Sequence, residues 1–327
     1  MAVPEQVTEL LALWAIPDDA QLTAMQRGTN NRTFAVVRGE QRWVLRVSQN
    51  LSPDQVRAEH RLLGRLHRAR LPFRVPEPVP TVTGETVIDS PGGPVSVCRW
   101  IPGVRPDLSS EPALERFGRA IGVLSRAMRD LPLDEAPQDW RAGPLTALGS
   151  RADVEQLCLE LDAAGAGHER VELLRTAGRR VGAWWSEGTH ELPVQIVHGD
   201  LGASNSLADE STGRITALLD FEIAGADFRI QDLVAGLLLT GALAAPDWQG
   251  PAAALIRGAR SVMPLRPSEI KALPDLLLCR AVGTVLWRAG RWRRGHADLG
   301  DVVDRLQELE VTARWLKASA AQLVSLG

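Results

Sequence analysis

The chain has 327 residues, of which 45% are hydrophobic and 24% are charged, the proportions of an ordinary globular protein. Its length suggests about two domains. The net charge of −3 argues against an overall basic field that would recruit nucleic acid. The three cysteines, Cys98, Cys158 and Cys279, are widely spaced, so they predict a reducing compartment rather than a disulfide framework or a metal-binding knuckle.

No targeting or membrane-spanning segment is visible in the sequence. The first residues carry Glu5 and Glu9 and lack a basic start, so a signal peptide is not expected. The longest uncharged apolar stretch, Leu233–Pro246, is shorter than the roughly 20 residues that a spanning helix needs, and we interpret it as a buried helix. We therefore expect a cytoplasmic protein that does not associate with membranes.

The first hundred residues alternate between strand and helix patterns. Strands are predicted at Ala20–Met25, Thr33–Val37 and Arg42–Val47. A helix is predicted to begin after Ser52, which can cap it, and Gln55 would complete a capping box. This order of elements predicts a small sheet accompanied by one helix.

The remainder of the chain is mainly helical in pattern. A last hairpin is predicted where Thr86–Asp89 and Val95–Trp100 flank a turn rich in proline and glycine, and Ile101–Pro106 is the best domain boundary. Strand character returns only around residues 194–220. Helical patterns after residue 150 cover about 151–163, 168–187, 228–244, 250–260, 268–290 and 299–323.

Three polar side chains are gathered at one end of a predicted hairpin. Asp200 follows the short apolar strand Val194–Val197, while Asn205 opens and Asp220 closes two strands joined by a turn. Antiparallel pairing brings these ends together, because opposed residues lie only about 5 Å apart. Two carboxylates and an amide oxygen are hard ligands that suit Mg²⁺, a cation usually shared with substrate phosphates. The pattern therefore favours phosphoryl transfer.

The motif His198-Gly199-Asp200-x-x-x-x-Asn205, followed by Asp220-Phe221-Glu222, resembles the signature of the aminoglycoside phosphotransferase and homoserine kinase-like superfamily. The resemblance implies an α+β, two-lobed protein-kinase-like fold. A small antiparallel-sheet N-lobe, residues 1–101, would bind the nucleotide, and a mostly helical C-lobe, residues 102–327, would be catalytic and bind the acceptor. It also implies a Mg²⁺-dependent small-molecule kinase with ATP or GTP as phosphoryl donor.

The resemblance also assigns roles by position. Asp200 is the expected catalytic base, His198 is a scaffold residue of the catalytic loop, and Asn205 and Asp220 are expected to bind Mg²⁺. Asp232 matches an aspartate that braces this loop from the following helix.

Two neighbouring acidic residues have alternative interpretations. Asp227, like Asp232, could instead cap a helix, and for Asp227 we favour that interpretation. Glu222 could supply an additional metal ligand or face solvent, and the sequence favours neither.

A cation is needed for the nucleotide phosphates, yet no lysine precedes Lys271. Strand alternation places Arg46 on the face opposite the apolar side chains of its strand, so Arg46 is expected to replace the lysine that protein kinases use. Glu59 lies on the apolar stripe of the predicted helix and needs a partner there, for which Arg46 is the candidate. The alternative is an exposed arginine and a peripheral glutamate.

Two further segments are expected to contact the nucleotide because of the resemblance. Gly28, Thr29, Asn30 and Asn31 lie where the fold places its phosphate-covering turn, although alone they would indicate an ordinary hairpin. Ser96–Gly103 would be the hinge that meets the purine base, and nothing in it distinguishes adenine from guanine.

The acceptor is the least specified part of the prediction. The basic run Trp287–His296, with interleaved tryptophans, is most simply a solvated helix end, although it could bind a substrate carboxylate or phosphate, or a nucleic acid. A slight acidic excess after residue 103 favours a neutral or carboxylate-bearing acceptor. We expect a small-molecule hydroxyl acceptor and no nucleic-acid partner. The acceptor would be an aminoglycoside-, macrolide- or nucleoside-like antibiotic or a homoserine-like metabolite. The alternative is a catalytically inactive nucleotide-binding regulatory protein, and the oligomeric state is not predicted.

Overall fold

The computed structural model describes residues 10–25, 31–141, 151–187 and 191–327. These residues form two compact units. The first consists of the described residues of Met1–Asp107, Ala127–Gln138 and His198–Gly225, and the second of those of Leu108–Arg126, Asp139–Val197 and Ala226–Gly327. The division at residues 101 and 102 stays a prediction.

The secondary structure is an antiparallel-sheet region followed by a mostly helical part, which confirms the predicted α+β class. The strands are β1 (Gln21–Ala24), β2 (Asn31–Arg38), β3 (Gln41–Ser48), β4 (Val95–Arg99), β5 (Gln138–Asp139), β6 (Val194–Val197), β7 (Ser206–Ala208), β8 (Ile215–Leu218) and β9 (Gly225–Phe228). The helices are α1 (Pro53–Arg68), α2 (Glu111–Met128), α3 (Arg151–Ala163), α4 (His168–Glu187), α5 (Gln231–Leu239), α6 (Gln249–Arg260), α7 (Pro267–Arg293) and α8 (Leu299–Ser325).

The first unit contains a four-stranded antiparallel sheet in the order β1-β2-β3-β4. Its two faces differ because successive side chains along a strand point to opposite sides. Arg46 of β3 pairs with Thr33 of β2 and with Ser96 of β4, so these three side chains share one face. The other face is the core of the sheet and includes Phe34, Val36, Leu45, Val47, Val95 and Val97, packed with Leu11, Trp14 and Ile16.

Helix α1 begins at the predicted capping box. The Gln55 backbone N–H donates to Ser52 Oγ at 3.3 Å, and the Ser52 backbone N–H donates to Gln55 Oε1 at 2.9 Å. The buried face of α1 is apolar except for Glu59 and His60. It consists of Val56, Ala58, Glu59, His60, Leu62, Leu63 and Leu66.

The predicted hairpin is present as β7 and β8, which pair antiparallel. Backbone hydrogen bonds attach it to the rest of the first unit on both sides. Arg74 pairs with β8 through bonds to Thr216 and Leu218, and Val104 exchanges two bonds with Ala208, at 3.0 and 2.8 Å. A single turn of 3-10 helix, Ala203–Asn205, leads into β7. The loops at the two ends of the hairpin are therefore fixed.

The second unit is built mainly of helices and contains the whole of β6. Strands β5, β9 and β6 pair in that order. Helices α2 and α6 approach closely: a side chain added at Gly118 would place its Cβ 2.1 Å from the carbonyl oxygen of Leu255. Helix α7 ends at Arg293, so the basic run Trp287–His296 lies at a helix end, although Arg291 in it is buried. Within the described ranges, none of the helices combines the length and apolar character required to span a bilayer.

One predicted helix is wrong at both ends. The pattern over residues 228–244 predicts a continuous helix, but Phe228 belongs to β9 and α5 covers only Gln231–Leu239. Gly241, with a φ of +79°, lies just beyond the helix, and residues 241–248 form turns. Apolar character alone therefore overestimates the helix, because buried strands and turns in this part are equally apolar.

The turn between residues 88 and 95 requires glycine at one position. Gly93 has a φ of +112°, and a Cβ there would lie 2.2 Å from the carbonyl oxygen of Ser48. Gly84 has a similar φ of +90° but open space around it. Gly93→Ala should therefore lower the free energy of unfolding by more than about 2 kcal/mol, and Gly84→Ala by about 1 kcal/mol. Denaturant unfolding measures both changes: Gly84→Ala reports backbone strain alone, and Gly93→Ala reports strain together with the clash. Equal losses of unfolding free energy in the two variants would contradict the clash.

Candidate active site

His198 connects the two segments of the predicted motif. Its side chain is fully buried, its Nε2 donates to the carbonyl oxygen of Leu219 at 2.9 Å, and its Nδ1 accepts from the Asp200 backbone N–H at 3.2 Å. The ring also packs against Phe221, with 4.4 Å between centroids. These contacts attach the loop containing Asp200 to the segment that contains Asp220, which is the arrangement expected of a scaffold residue.

Asp200 and Asn205 are in direct contact. The Asn205 side-chain nitrogen donates to Asp200 Oδ2 at 2.8 Å and to the Asp200 carbonyl oxygen at 2.9 Å. The turn that carries Asn205 begins only three residues after Asp200, so the contact is local. Because the amide nitrogen of Asn205 faces Asp200, its amide oxygen is the atom directed away from that carboxylate.

Asp220 is a buried carboxylate in an unusual backbone conformation. It follows β8 with a φ of +63°, in the left-handed region that residues other than glycine seldom adopt. Its Oδ1 is buried and has no hydrogen-bond partner among the described residues. Burial, with the neighbouring Glu222 carboxylate, raises the pKa of Asp220 to about 7, and the attraction of Arg46 opposes this. A buried carboxylate oxygen without a donor fits a cation ligand.

Arg46 and Glu59 form the predicted ion pair. The guanidinium donates from Nη1 to Oε1 at 2.9 Å and from Nη2 to Oε2 at 2.5 Å, and the Glu59 side chain is 2% exposed. Burial alone would lower the pKa of Arg46, but the attraction and hydrogen bonds of Glu59 raise it above its usual value. Arg46 is therefore a permanent cation, and the interpretation as an exposed arginine with a peripheral glutamate is wrong.

The contact between Asn31 and Glu222 is one that sequence reasoning missed. Its side-chain nitrogen donates to Glu222 Oε2 at 2.5 Å, and its oxygen accepts from the Gln49 backbone N–H at 3.4 Å. Glu222 is 5% exposed, so the interpretation that it faces solvent is wrong; a role as metal ligand stays a prediction. Asn31 is the last residue of the turn predicted to cover the phosphates, but its partner is 191 residues away in sequence.

The donors of the first unit fit a divalent cation. In the described part of the chain, no three His, Cys, Asp or Glu side chains form a group that could hold a metal by themselves. The fit therefore depends on the unpartnered Oδ1 of Asp220 together with the amide oxygen of Asn205, with water and phosphate as the remaining oxygen ligands. The carboxylates of Asp200, Asp220 and Glu222 would also attract a cation.

The sequence predicts two further groups of residues. Gly28, Thr29 and Asn30 are outside the described residues. Asp227 and Asp232 belong to the second unit, and the interpretation of Asp227 as a helix cap is wrong. Asp227 lies in β9 and accepts from the Phe228 backbone N–H at 2.6 Å, whereas the residue that precedes α5 is Ile230, which has no capping side chain.

The geometry of the first unit defines a class of protein. An Asp–Asn contact, a buried aspartate with an unpartnered oxygen and an Arg–Glu pair on an antiparallel sheet are the arrangement of a phosphotransferase with a protein-kinase-like fold. The sequence profile of the phosphotransferase enzyme family (APH) matches residues 21–269, which is most of the chain. The chain therefore belongs to this family.

Individual relatives agree with this assignment. A homoserine kinase of Methylobacterium radiotolerans is 26% identical over 298 residues, which cover 88% of this chain and 85% of that protein. A microcompartment-associated aminopropanol kinase has a similar structure, with a TM-score of 0.72 at 19% identity over 98% of both chains. The amicoumacin kinase hAmiN, in complex with AMP-PNP, Ca²⁺ and Ami, has a TM-score of 0.69 at 14% identity over 94% of this chain and 93% of that one. The protein is a small-molecule kinase.

Asp227 predicts how stability depends on pH. Burial raises the pKa of Asp227 to about 7, whereas an aspartate in an unfolded chain has a pKa near 4. Between about pH 4 and 7 the unfolded chain therefore binds fewer protons than the folded one, and the free energy of unfolding falls as pH rises, by up to about 1.4 kcal/mol per pH unit for this group.

The Asp227→Asn variant should lose that contribution. Asp220 has a pKa raised in the same direction, so about half of the slope should remain. Unfolding of the protein and of the variant, followed between pH 4.5 and 7.5 without divalent cations, checks this. An unchanged slope in the variant would show that Asp227 is ionised throughout this range.

Proposed function

We propose that this protein transfers the γ-phosphoryl group of ATP or GTP to a hydroxyl of a small molecule, with Mg²⁺ as the metal. The observation that carries the proposal is the unpartnered, buried Oδ1 of Asp220, in the same unit as the Asp200–Asn205 contact. Bound Mg²⁺ would neutralise phosphate charge and be held by Asp220 and Asn205. Three free cysteines support a reducing compartment such as the cytoplasm.

Asp200 is the proposed catalytic base. In this step the acceptor oxygen forms a bond to the γ-phosphorus, the bond between that phosphorus and the β,γ-bridging oxygen breaks, and the hydroxyl proton passes to the Asp200 carboxylate. The hydrogen bond from Asn205 holds this carboxylate in one orientation, and His198 fixes the backbone beneath it. Both contacts restrict the carboxylate before the reaction begins, so less conformational entropy is lost on reaching the transition state.

Arg46 is the proposed phosphate ligand. Two nitrogens of its guanidinium are held by Glu59, so the cation is oriented before the nucleotide arrives. The guanidinium is a planar fork with five N–H donors and remains charged at any physiological pH. It can therefore donate to phosphate oxygens without losing the Glu59 contact.

The proposed acceptor is a small amino alcohol of the homoserine type. The slight acidic excess of the second part of the chain is compatible with a neutral or carboxylate-bearing acceptor, and a homoserine kinase is the relative whose alignment covers 88% of this chain. An antibiotic hydroxyl is the second candidate, since a structure of the same fold is an amicoumacin kinase. In that case the protein would confer resistance.

A phosphorylation screen tests both candidates and the inactive alternative. Purified protein with Mg²⁺ and either ATP or GTP is offered homoserine, aminopropanol, aminoglycosides, macrolides and nucleoside antibiotics, and phosphorylated product is measured by mass spectrometry. Asp200→Asn should lower turnover by about 10²- to 10⁴-fold and change the nucleotide Kd less than about threefold, because it removes the base but leaves the proposed phosphate ligand Arg46 and the proposed metal ligands Asn205 and Asp220 in place. Equal inactivity of both proteins on every acceptor, with nucleotide still bound, would favour the regulatory protein.

Arg46→Ala should mainly weaken nucleotide binding. Charge-assisted hydrogen bonds to phosphate are worth about 1.5 to 3 kcal/mol, so the nucleotide KM should rise about tenfold or more with a smaller change in kcat. Arg38→Ala is the matched control, because Arg38 lies on the neighbouring strand and pairs with the exposed Asp19. Arg46→Lys checks that the loss is not unfolding around Glu59. An unchanged KM in Arg46→Ala would remove Arg46 from the phosphate site.

A further inference from the structure

Helix α1 is attached at both ends to one short segment of the first unit, Leu133–Gln138. Near its C-terminal end, Arg65 donates from Nε to Glu135 Oε2 at 2.7 Å and from a second nitrogen to Oε1. In its first turn, Gln55 donates from Nε2 to Gln138 Oε1 at 2.9 Å. At 1.5 Å per residue these two attachments are about 15 Å apart along the helix.

The Gln55 side chain uses both ends of its amide. Its oxygen closes the capping box on the Ser52 backbone N–H, and its nitrogen reaches Gln138. The residue that fixes where the helix begins therefore also attaches the helix to the segment. Removing the Gln138 side chain releases the attachment but leaves the capping box intact. A substitution of Gln55 would disrupt both.

Glu59 lies between the two attachments on the same helix. Its carboxylate accepts two hydrogen bonds from Arg46, so this contact joins α1 to β3. Two attachments about 15 Å apart restrict pivoting of the helix about either end, in addition to the packing of its buried apolar face. The position of Glu59, and with it the orientation of Arg46, therefore depends on the segment.

We propose that Glu135 and Gln138 are positioning residues for the nucleotide site: they hold α1 so that the Arg46–Glu59 pair is already formed before nucleotide binds, without an activation step. The proposal rests on the proposed function, because it takes Arg46 as a phosphate ligand. The Arg65 and Glu135 side chains are 38% and 35% exposed, so solvent screening makes the expected effect modest.

Arg65→Gln and Gln138→Ala are the test variants, and Arg57→Gln is the matched control. Arg57 lies on the same helix and also pairs with a carboxylate, but its partner, Asp54, belongs to α1 itself. Titration calorimetry with ATP and with GTP, each with Mg²⁺, measures the nucleotide Kd. Arg65→Gln should raise the Kd about two- to fivefold, Gln138→Ala should raise it in the same direction, and Arg57→Gln should leave it unchanged.

A double-mutant cycle shows whether the effect passes through Glu59. In a Glu59→Gln background, Arg65→Gln should have no further effect on the Kd, because the pair that it positions has been removed. The charge-swapped protein, Arg65→Glu with Glu135→Arg, should return the Kd to within about twofold of the wild-type value, whereas Arg65→Glu alone should raise it.

Each contrary outcome has a separate meaning. Wild-type protein that binds neither nucleotide overturns the proposed function and this inference with it. Wild-type binding with equal Kd values for Arg65→Gln, Gln138→Ala and Arg57→Gln overturns the inference alone. Additive effects of Arg65→Gln and Glu59→Gln also overturn it, because they would place Arg65 in a general structural role.

Discussion

The burial of the Asp220 carboxylate is the constraint on which the site depends. Asp220 is buried with an oxygen that no described donor reaches, and Glu222 adds a second buried carboxylate nearby. Arg46 offsets part of this charge, but Glu59 already occupies two of its nitrogens. Desolvated charge of this kind is costly unless something compensates for it. In the proposed function, a cation shared with phosphate would compensate for it.

The sheet of the first unit makes this arrangement possible by separating two environments. Its apolar face packs into the core with Leu11 and Trp14, so the strands do not depend on the polar face for their stability. The opposite face carries Arg46 beside Ser96. Helix α1 supplies Glu59 to that face. The hairpin β7–β8 lies between the loop that contains Asp200 and the segment that contains Asp220, and holds both in one unit. One face of these strands therefore packs into the core, and the other carries the charged residues of the candidate site.

The sequence was sufficient for contacts that follow from local pattern. The capping box at Ser52, the hairpin after Asn205 and the inward position of Glu59 each follow from spacing within a single element or its neighbour. It was insufficient where the decisive partner is distant, as for Asn31 and Glu222, because no periodicity connects residues 191 positions apart. The prediction from sequence was wrong at Asp227. A carboxylate shortly before a helix resembles an N-cap, but this residue still belongs to a strand. Strand and helix were confused there because both are mostly buried and rich in apolar side chains.

The presence of a guanidinium at position 46 has a practical consequence for chemical labelling. The chain contains only two lysines, Lys271 and Lys317, and both belong to the second unit. Acylating reagents built on a nucleotide react with a neutral amine, and an arginine side chain offers none because it does not deprotonate in proteins. If Arg46 holds the phosphates as proposed, proteome surveys that depend on an acylated lysine at this strand position would therefore pass over this protein, whatever its abundance.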